Sequence, residues 1–174
     1  RSAGVKRVIF ASSNHAVGFY RRDQTIDVDV ASRPDTRYGV SKVFGEAMGA
    51  LYAYKYGVGS LAIRIGNVDD RPADIRRLAI WISPRDLAQL VRIGLENPDI
   101  HFEIVYGMSD NKRAWWDNGN AMRLGYEPQD KSEDWAAEIL ACGPNDTGDA
   151  NAETYQGGTF VSLEEGGGRK PNLG

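Results

Sequence analysis

Tyr38-Gly-Val-Ser-Lys42 sets a phenol and an ammonium four residues apart. On a helix that spacing puts both side chains on one face. A cation beside a phenol favours the phenolate and lowers its pKa from the ordinary value of about 10. The pair then becomes a base usable near neutral pH. Ser12 and Ser13 stand upstream, at the end of an apolar segment. A hydroxyl there can orient a substrate oxygen beside Tyr38; in the alternative reading the serines only turn the chain. A tyrosine four before a lysine also fits plain surface pairing, and it is the serines that give it a catalytic context. His15 shares no metal-ligand spacing with His101, the other histidine, so no metal site is expected.

These groups need elements to hold them. Val5 to Ala11 (VKRVIFA) is rich in β-branched and aromatic residues and predicts a buried parallel strand. Ser12 and Ser13 then lie at its carboxyl end, where parallel sheets present side chains to a ligand crevice. A helix is predicted from about Asp35 to Tyr56, because Val40, Phe44, Ala47, Leu51 and Tyr52 recur at helical spacing. Gly57 stands where a left-handed cap residue belongs. Ser60 to Ile65 predicts a second buried strand, and strand, helix and strand in that order imply a parallel crossover. Asn67 to Ala79 reads as a polar loop. Pro84 to Glu96 predicts an amphipathic helix with proline in its first turn. Phe102 to Tyr106 predicts a third strand, and short helices follow near Gly119 to Leu124 and Glu133 to Leu140. Residues 1–142 thus form one α/β unit. From Gly143, glycine, asparagine, aspartate, threonine and proline dominate, and 143–174 is expected to be a flexible tail.

Composition excludes several classes. Hydrophobic residues make up 41% and charged residues 26%, a globular rather than a disordered balance. A net charge of −3 gives no basic face for nucleic acid. Apolar runs such as Val8 to Ala11 and Leu78 to Ile82 are too short for a membrane span. One cysteine, Cys142, forbids an internal disulfide, which with the absence of a leader fits a reducing cytoplasm.

IFASSNHAVG and RPDTRYGVSKVFGEAMG resemble the extended short-chain dehydrogenase/reductase family, the NAD-dependent epimerases and dehydratases. ASSNHAVGFY, RYGVSKVFGE, RIGNV, RRLAIWISPRDL, YGMSDNKRAWWDN, LGYEP and YQGGTFVS are similar to its hexuronate-oxidising dehydrogenases, from Val5 to about Ser162. The resemblance implies an α/β fold: a partial Rossmann-type, doubly wound parallel sheet with C-terminal substrate-binding elements. It implies NAD as cofactor and a sugar acid as substrate, galacturonate or glucuronate, oxidised at C1 to the aldarolactone. By the same resemblance Tyr38 is the general base, Lys42 assists it and holds the nicotinamide ribose, and Ser13 orients the reacting oxygen. Asn14 and His15 line the sugar, Arg76 clamps its carboxylate, and Ile65, Gly66 and Asn67 border the nicotinamide. A bidentate guanidinium suits the clamp, for which Arg77 is a rival. Trp81, Trp115, Trp116, Phe19 and Tyr20 are expected to pack rather than bind. The family leans towards homo-oligomers.

One family feature is missing from the sequence. A dinucleotide needs a glycine-rich turn between a strand and a helix, so that backbone N–H groups approach the pyrophosphate. Gly57-Val-Gly59 has the reverse order, and Gly166-Gly-Gly168 follows no strand. The chain therefore reads as the C-terminal part of a longer enzyme lacking on the order of 90 residues. Alone it is expected to be inactive or nearly so, poorly stable, and prone to associate through an open strand. Two alternatives stay open: another sugar dehydrogenase or a nucleotide-sugar epimerase of the same superfamily, and an inactive fragment or binding module.

Overall fold

A computed structural model of the chain describes residues 2–143 and 148–163. The first apolar run forms β1 (Arg7–Ser13), followed by a single 3-10 turn over Asn14–Val17 and then α1 (Arg37–Tyr56). Thr36 opens α1 by accepting the Gly39 amide at its hydroxyl, 3.1 Å away. Gly57 closes it in the left-handed region at φ 66°, the conformation that favours glycine. β2 (Gly59–Ile65) comes next, then the short β3 (Asn67–Val68), α2 (Arg77–Ile80) and β4 (Trp81–Ile82). α3 (Pro84–Glu96) starts on a Ser83 cap and leads to β5 (Phe102–Gly107). α4 (Gly119–Arg123), α5 (Ala136–Ala141) and α6 (Ala150–Thr154) follow, with 3-10 turns at Ser132–Trp135 and Gly158–Ser162. No described helix is long and apolar enough to cross a membrane.

β1, β2 and β5 make a three-stranded parallel sheet in the order β1-β2-β5. Helices cover both of its faces, the arrangement of a doubly wound α/β fold. α1 lies on the face of Phe10, Ser60 and Phe102, approaching closely through Gly45 and Gly49. α3 lies on the opposite face, where Gly94 meets Ile9 and Leu61. Between α3 and the sheet sits an apolar core built on Leu61, Ile63, Leu90 and Val105. A second core, around Val17, Tyr20, Ile80, Tyr106 and Trp116, underlies the loops at the carboxyl ends of the strands. Trp81 and Trp116 are buried, as packing residues should be.

Two expectations need correcting, and one needs completing. The apolar stripe that marks α1 does not face the sheet: Val40, Phe44 and Leu51 are 54%, 66% and 45% exposed. The helix buries Gly39, Glu46 and Ala53 instead, because small residues allow the close approach. β1 is a half-exposed edge rather than a buried strand, since β2 is its one partner among the described residues. The segment 67–79 is not all loop: Asn67 and Val68 pair in parallel with Trp81 and Ile82.

Residues 148–163, expected in a flexible tail, fold back onto the body. Gln156 is fully buried; its amide donates to the carbonyls of Arg21 and Gln24 and its side-chain oxygen accepts from Trp116 Nε1 at 2.9 Å. A side chain with every polar atom paired internally fixes this segment, whatever its mean polarity. The rest of the expected tail, 144–147 and 164–174, lies outside the described residues.

Candidate active site

The strand register brings the carboxyl ends of β1 and β2 together, with Ser13 opposite Ile65 and Ser12 opposite Arg64. Ser12 and Ser13 point to opposite faces, as successive strand residues must. Ser12 donates to Glu46 Oε1 at 2.6 Å. Glu46 in turn accepts two hydrogen bonds from Arg64, Nε at 2.9 Å and Nη2 at 2.9 Å. This buried Ser12–Glu46–Arg64 group locks α1 to the ends of β1 and β2. Burial works against the Arg64 charge, but the Glu46 hydrogen bonds and Coulomb attraction outweigh it and raise its pKa. Ser13, on the other face, caps the 3-10 turn by accepting the His15 amide at 3.2 Å.

Tyr38 and Lys42 sit one turn apart on α1 and open onto the same cleft as Ser13. The cleft holds about 530 Å³ and is also lined by His15, Ile65, Gly66 and Phe160. Lys42 Nζ lies 5.1 Å from the centre of the Tyr38 ring and donates to the Ala11 carbonyl at 2.8 Å. One of its three donors is thereby used. The Tyr38 hydroxyl has no hydrogen-bond partner among the described residues, and the side chain is well exposed.

A second cavity of about 320 Å³ adjoins the first, sharing His15, Gly66 and Phe160 with it. Asn67, Arg22, Arg76 and Arg77 line it. Its three cations are not equivalent. Arg22 pairs with Glu153 at 2.8 Å, and Arg77 pairs with Asp74. Arg76 has no carboxylate partner among the described residues; its Nη2 donates to the Gln156 carbonyl at 2.7 Å and its Nε is buried without a partner. Burial, then repulsion from Arg22 and Arg77, pulls its pKa down to about 10, so it remains a cation at neutral pH. Gly158, at φ 65°, closes over the Arg76 Nε, where a Cβ would come within 2.7 Å. Arg77, the rival for the clamp, is thus paired with a carboxylate, whereas Arg76 has none among the described residues.

The structure therefore gathers Ser13, Tyr38, Lys42, Ile65, Gly66 and His15 at one cleft, and Asn67 and Arg76 at the next. Asn14 lines neither; it is buried beneath, with its amide nitrogen unpartnered. Two residues were missed in the sequence. Phe160 stacks on His15 with ring centres 3.9 Å apart and an interplanar angle of 22°. Asp35 holds His15 Nδ1 at 2.6 Å. Phe160 lay in the expected tail, and Asp35 read as the start of a helix. No cluster of three or more potential metal ligands occurs among the described residues.

Comparison with known proteins shows what the chain is similar to. Residues 1–69 match the NAD dependent epimerase/dehydratase family. The chain is 47% identical to the uronate dehydrogenase of Pseudomonas putida over 92% of its own length and 60% of that protein's. It superposes on a mutated uronate dehydrogenase with a TM-score of 0.87 at 45% identity, covering 92% of this chain and 58% of that one. A mutant of the Agrobacterium tumefaciens uronate dehydrogenase, solved in complex with NAD, gives a TM-score of 0.84 at 38% identity over 90% and 59% of the two chains. The chain spans about three fifths of the length of the curated relatives it matches. With a parallel sheet covered on both faces and a likeness to uronate dehydrogenases along 92% of its length, the chain is similar to these enzymes, and its residues 1–69 match the NAD dependent epimerase/dehydratase family.

Proposed function

We propose that the chain carries the reacting part of an NAD-dependent hexuronate dehydrogenase, which oxidises galacturonate or glucuronate at C1 to the aldarolactone. The observation that carries this reading is the pairing of two cavities. One holds a tyrosine, a lysine and a serine; its neighbour holds the buried Arg76 guanidinium, which pairs with no carboxylate among the described residues because Asp74 and Glu153 are taken by Arg77 and Arg22. A sugar acid has the matching groups, a hydroxyl to deprotonate and a carboxylate to pair. The uronate dehydrogenase relatives support the substrate class, and the NAD complex among them supports the cofactor.

In this reading Tyr38 takes the proton of the C1 hydroxyl. Lys42, 5.1 Å from the ring, stabilises the tyrosinate by its charge. Ser13 holds the reacting oxygen towards Tyr38. NAD, when bound, accepts the hydride leaving C1. The residues at the cleft fit its nicotinamide end. Lys42 has donors to spare for ribose hydroxyls, Ile65 and Gly66 offer a floor, and Asn67 carries a buried, unpartnered Oδ1. Arg76 takes the substrate carboxylate and His15 flanks the ring, while Asn14, buried beneath the cavities, supports the site from below.

The test is net NADH formation from NAD with galacturonate or glucuronate. Hexuronate-dependent absorbance supports the reading; sugar turnover with no net NADH makes the protein an epimerase and overturns it. Because the sequence contains no glycine-rich turn, these 174 residues alone are expected to bind NADH weakly. Energy transfer from the four tryptophans to NADH measures this, and saturable micromolar binding would refute it.

The carboxylate clamp makes its own prediction. Arg76→Met should raise KM for the hexuronate roughly 10- to 100-fold, the worth of a charged hydrogen bond, and leave KM for a neutral hexose unraised. An equal effect on both sugars would remove Arg76 from the carboxylate.

A further inference from the structure

His15 stands where the two cavities meet, and its environment is one-sided. Its Nδ1 is 2.6 Å from Asp35 Oδ2, a carboxylate whose side chain is completely buried. One ring face is stacked on Phe160, and Tyr38 meets the ring edge-on with centres 5.8 Å apart. The imidazole side chain is 12% exposed, and Nε2 has no partner among the described residues. A carboxylate at Nδ1 requires a proton on that nitrogen. In the neutral ring the opposite nitrogen is then a lone pair, on a side chain that lines both cavities.

The cations around that space make an acceptor valuable. Arg76 and Lys42 have donors and no lone pairs. The carboxylates that line it, Asp74 and Glu153, are already paired with Arg77 and Arg22. A sugar brings hydroxyl protons as well as oxygens, and those protons need somewhere to go.

Asp35 is itself held in place. Its Oδ1 accepts the Thr36 hydroxyl at 3.1 Å. Its Oδ2 lies between Gly18 and Gly157, so close that a Cβ on either would come within 2.0 Å of it. The Gly157 amide donates to the Gly18 carbonyl at 2.9 Å, closing the slot. A carboxylate inserted there cannot swing away from His15.

We infer that Asp35 is a positioning residue that holds His15 as the Nδ1–H tautomer, so that Nε2 accepts a hydrogen bond from a hydroxyl of the bound sugar. The sugar part rests on the hexuronate reading; the tautomer part does not. Asp35→Asn tests both. Thr36 claims the oxygen end of the new amide, which leaves its NH₂ facing Nδ1. His15 must then carry its proton on Nε2, and the acceptor becomes a donor facing donors.

The measurement is a long-range ¹H–¹⁵N spectrum of the ¹⁵N-histidine-labelled chain at neutral pH. The chain has two histidines, and His101→Gln assigns the other. In the parent chain His15 is expected to show the Nδ1–H tautomer, with the Nε2 resonance moving on titration with galacturonate. Asp35→Asn is expected to show Nε2–H and to bind galacturonate roughly tenfold more weakly, the scale of one lost hydrogen bond. An Nε2–H or doubly protonated His15 in the parent chain overturns the inference without needing any variant to fold. So does a variant that keeps the parent tautomer, or one that switches it without weakening the sugar. If the tautomers behave as expected but galacturonate moves nothing in the parent chain, it is the hexuronate reading and the acceptor role that fail, while the hold of Asp35 on His15 stands.

Discussion

Tyr38→Phe is expected to lower kcat for hexuronate oxidation, in a form of the protein that binds NAD and turns over, by about 10²- to 10⁴-fold, the usual worth of a general base. KM should change little, and thermal stability should not fall. The reasons are structural. The Tyr38 side chain is 46% exposed, and its hydroxyl holds no other group in place among the described residues. Phenylalanine keeps the edge-on contact with His15 and the ring beneath Lys42. Only the proton acceptor is lost. Steady-state NADH production against hexuronate concentration separates kcat from KM. If more than a tenth of kcat survives with phenylalanine, the base lies elsewhere.

Glu46→Ala should act on the fold instead. Arg64 is 2% exposed, and Glu46 is the one carboxylate paired with it among the described residues. Removing it strands a buried guanidinium that already has an unpartnered Nη1. Breaking a buried pair in this way costs about 3–5 kcal/mol, a large part of the stability of an ordinary domain. Urea unfolding reads the loss. Replacing Glu46 and Arg64 together with apolar residues of similar volume should recover most of it, because no charge is then left behind. Equal destabilisation by the single and double changes would mean that packing, not charge, dominates. The single change also frees Ser12, so the cleft loses the register between β1 and α1.

What the sequence made legible was local. Tyr38 and Lys42 are one helical turn apart, and the cap glycine after Tyr56 is a short-range signal, so both were readable without knowing the fold. The start of the helix Pro84 to Glu96 was marked by its own proline, and the structure adds the Ser83 cap. Burial was less readable. Val40, Phe44 and Leu51 have helical spacing, but a stripe does not say which neighbour covers it, and here the sheet took the glycine face instead. Position across long distances was invisible. Phe160 reaches His15 because Gln156 anchors its segment beneath Arg21 and Gln24. Nothing in the composition of Ala150 to Ser162 announces that; its glycines and polar residues look like those of a linker. Asp35 was taken for a helix start because it precedes Thr36, the true cap. Its bond to His15 spans a loop whose path no periodicity encodes.

The slot around Asp35 has a consequence for how this protein can change over generations. Gly18 and Gly157 have ordinary backbone angles, φ −62° and −67°, which any residue can adopt. Their backbones do not demand glycine; the carboxylate between them does. Three positions far apart in the chain are therefore tied in one volume. In an alignment of relatives they should vary together: where the aspartate shrinks, side chains become permissible at both glycines, and where it stays, neither glycine can be exchanged alone. Natural variation at two outwardly plain glycines would thus report which lineages have kept their histidine held.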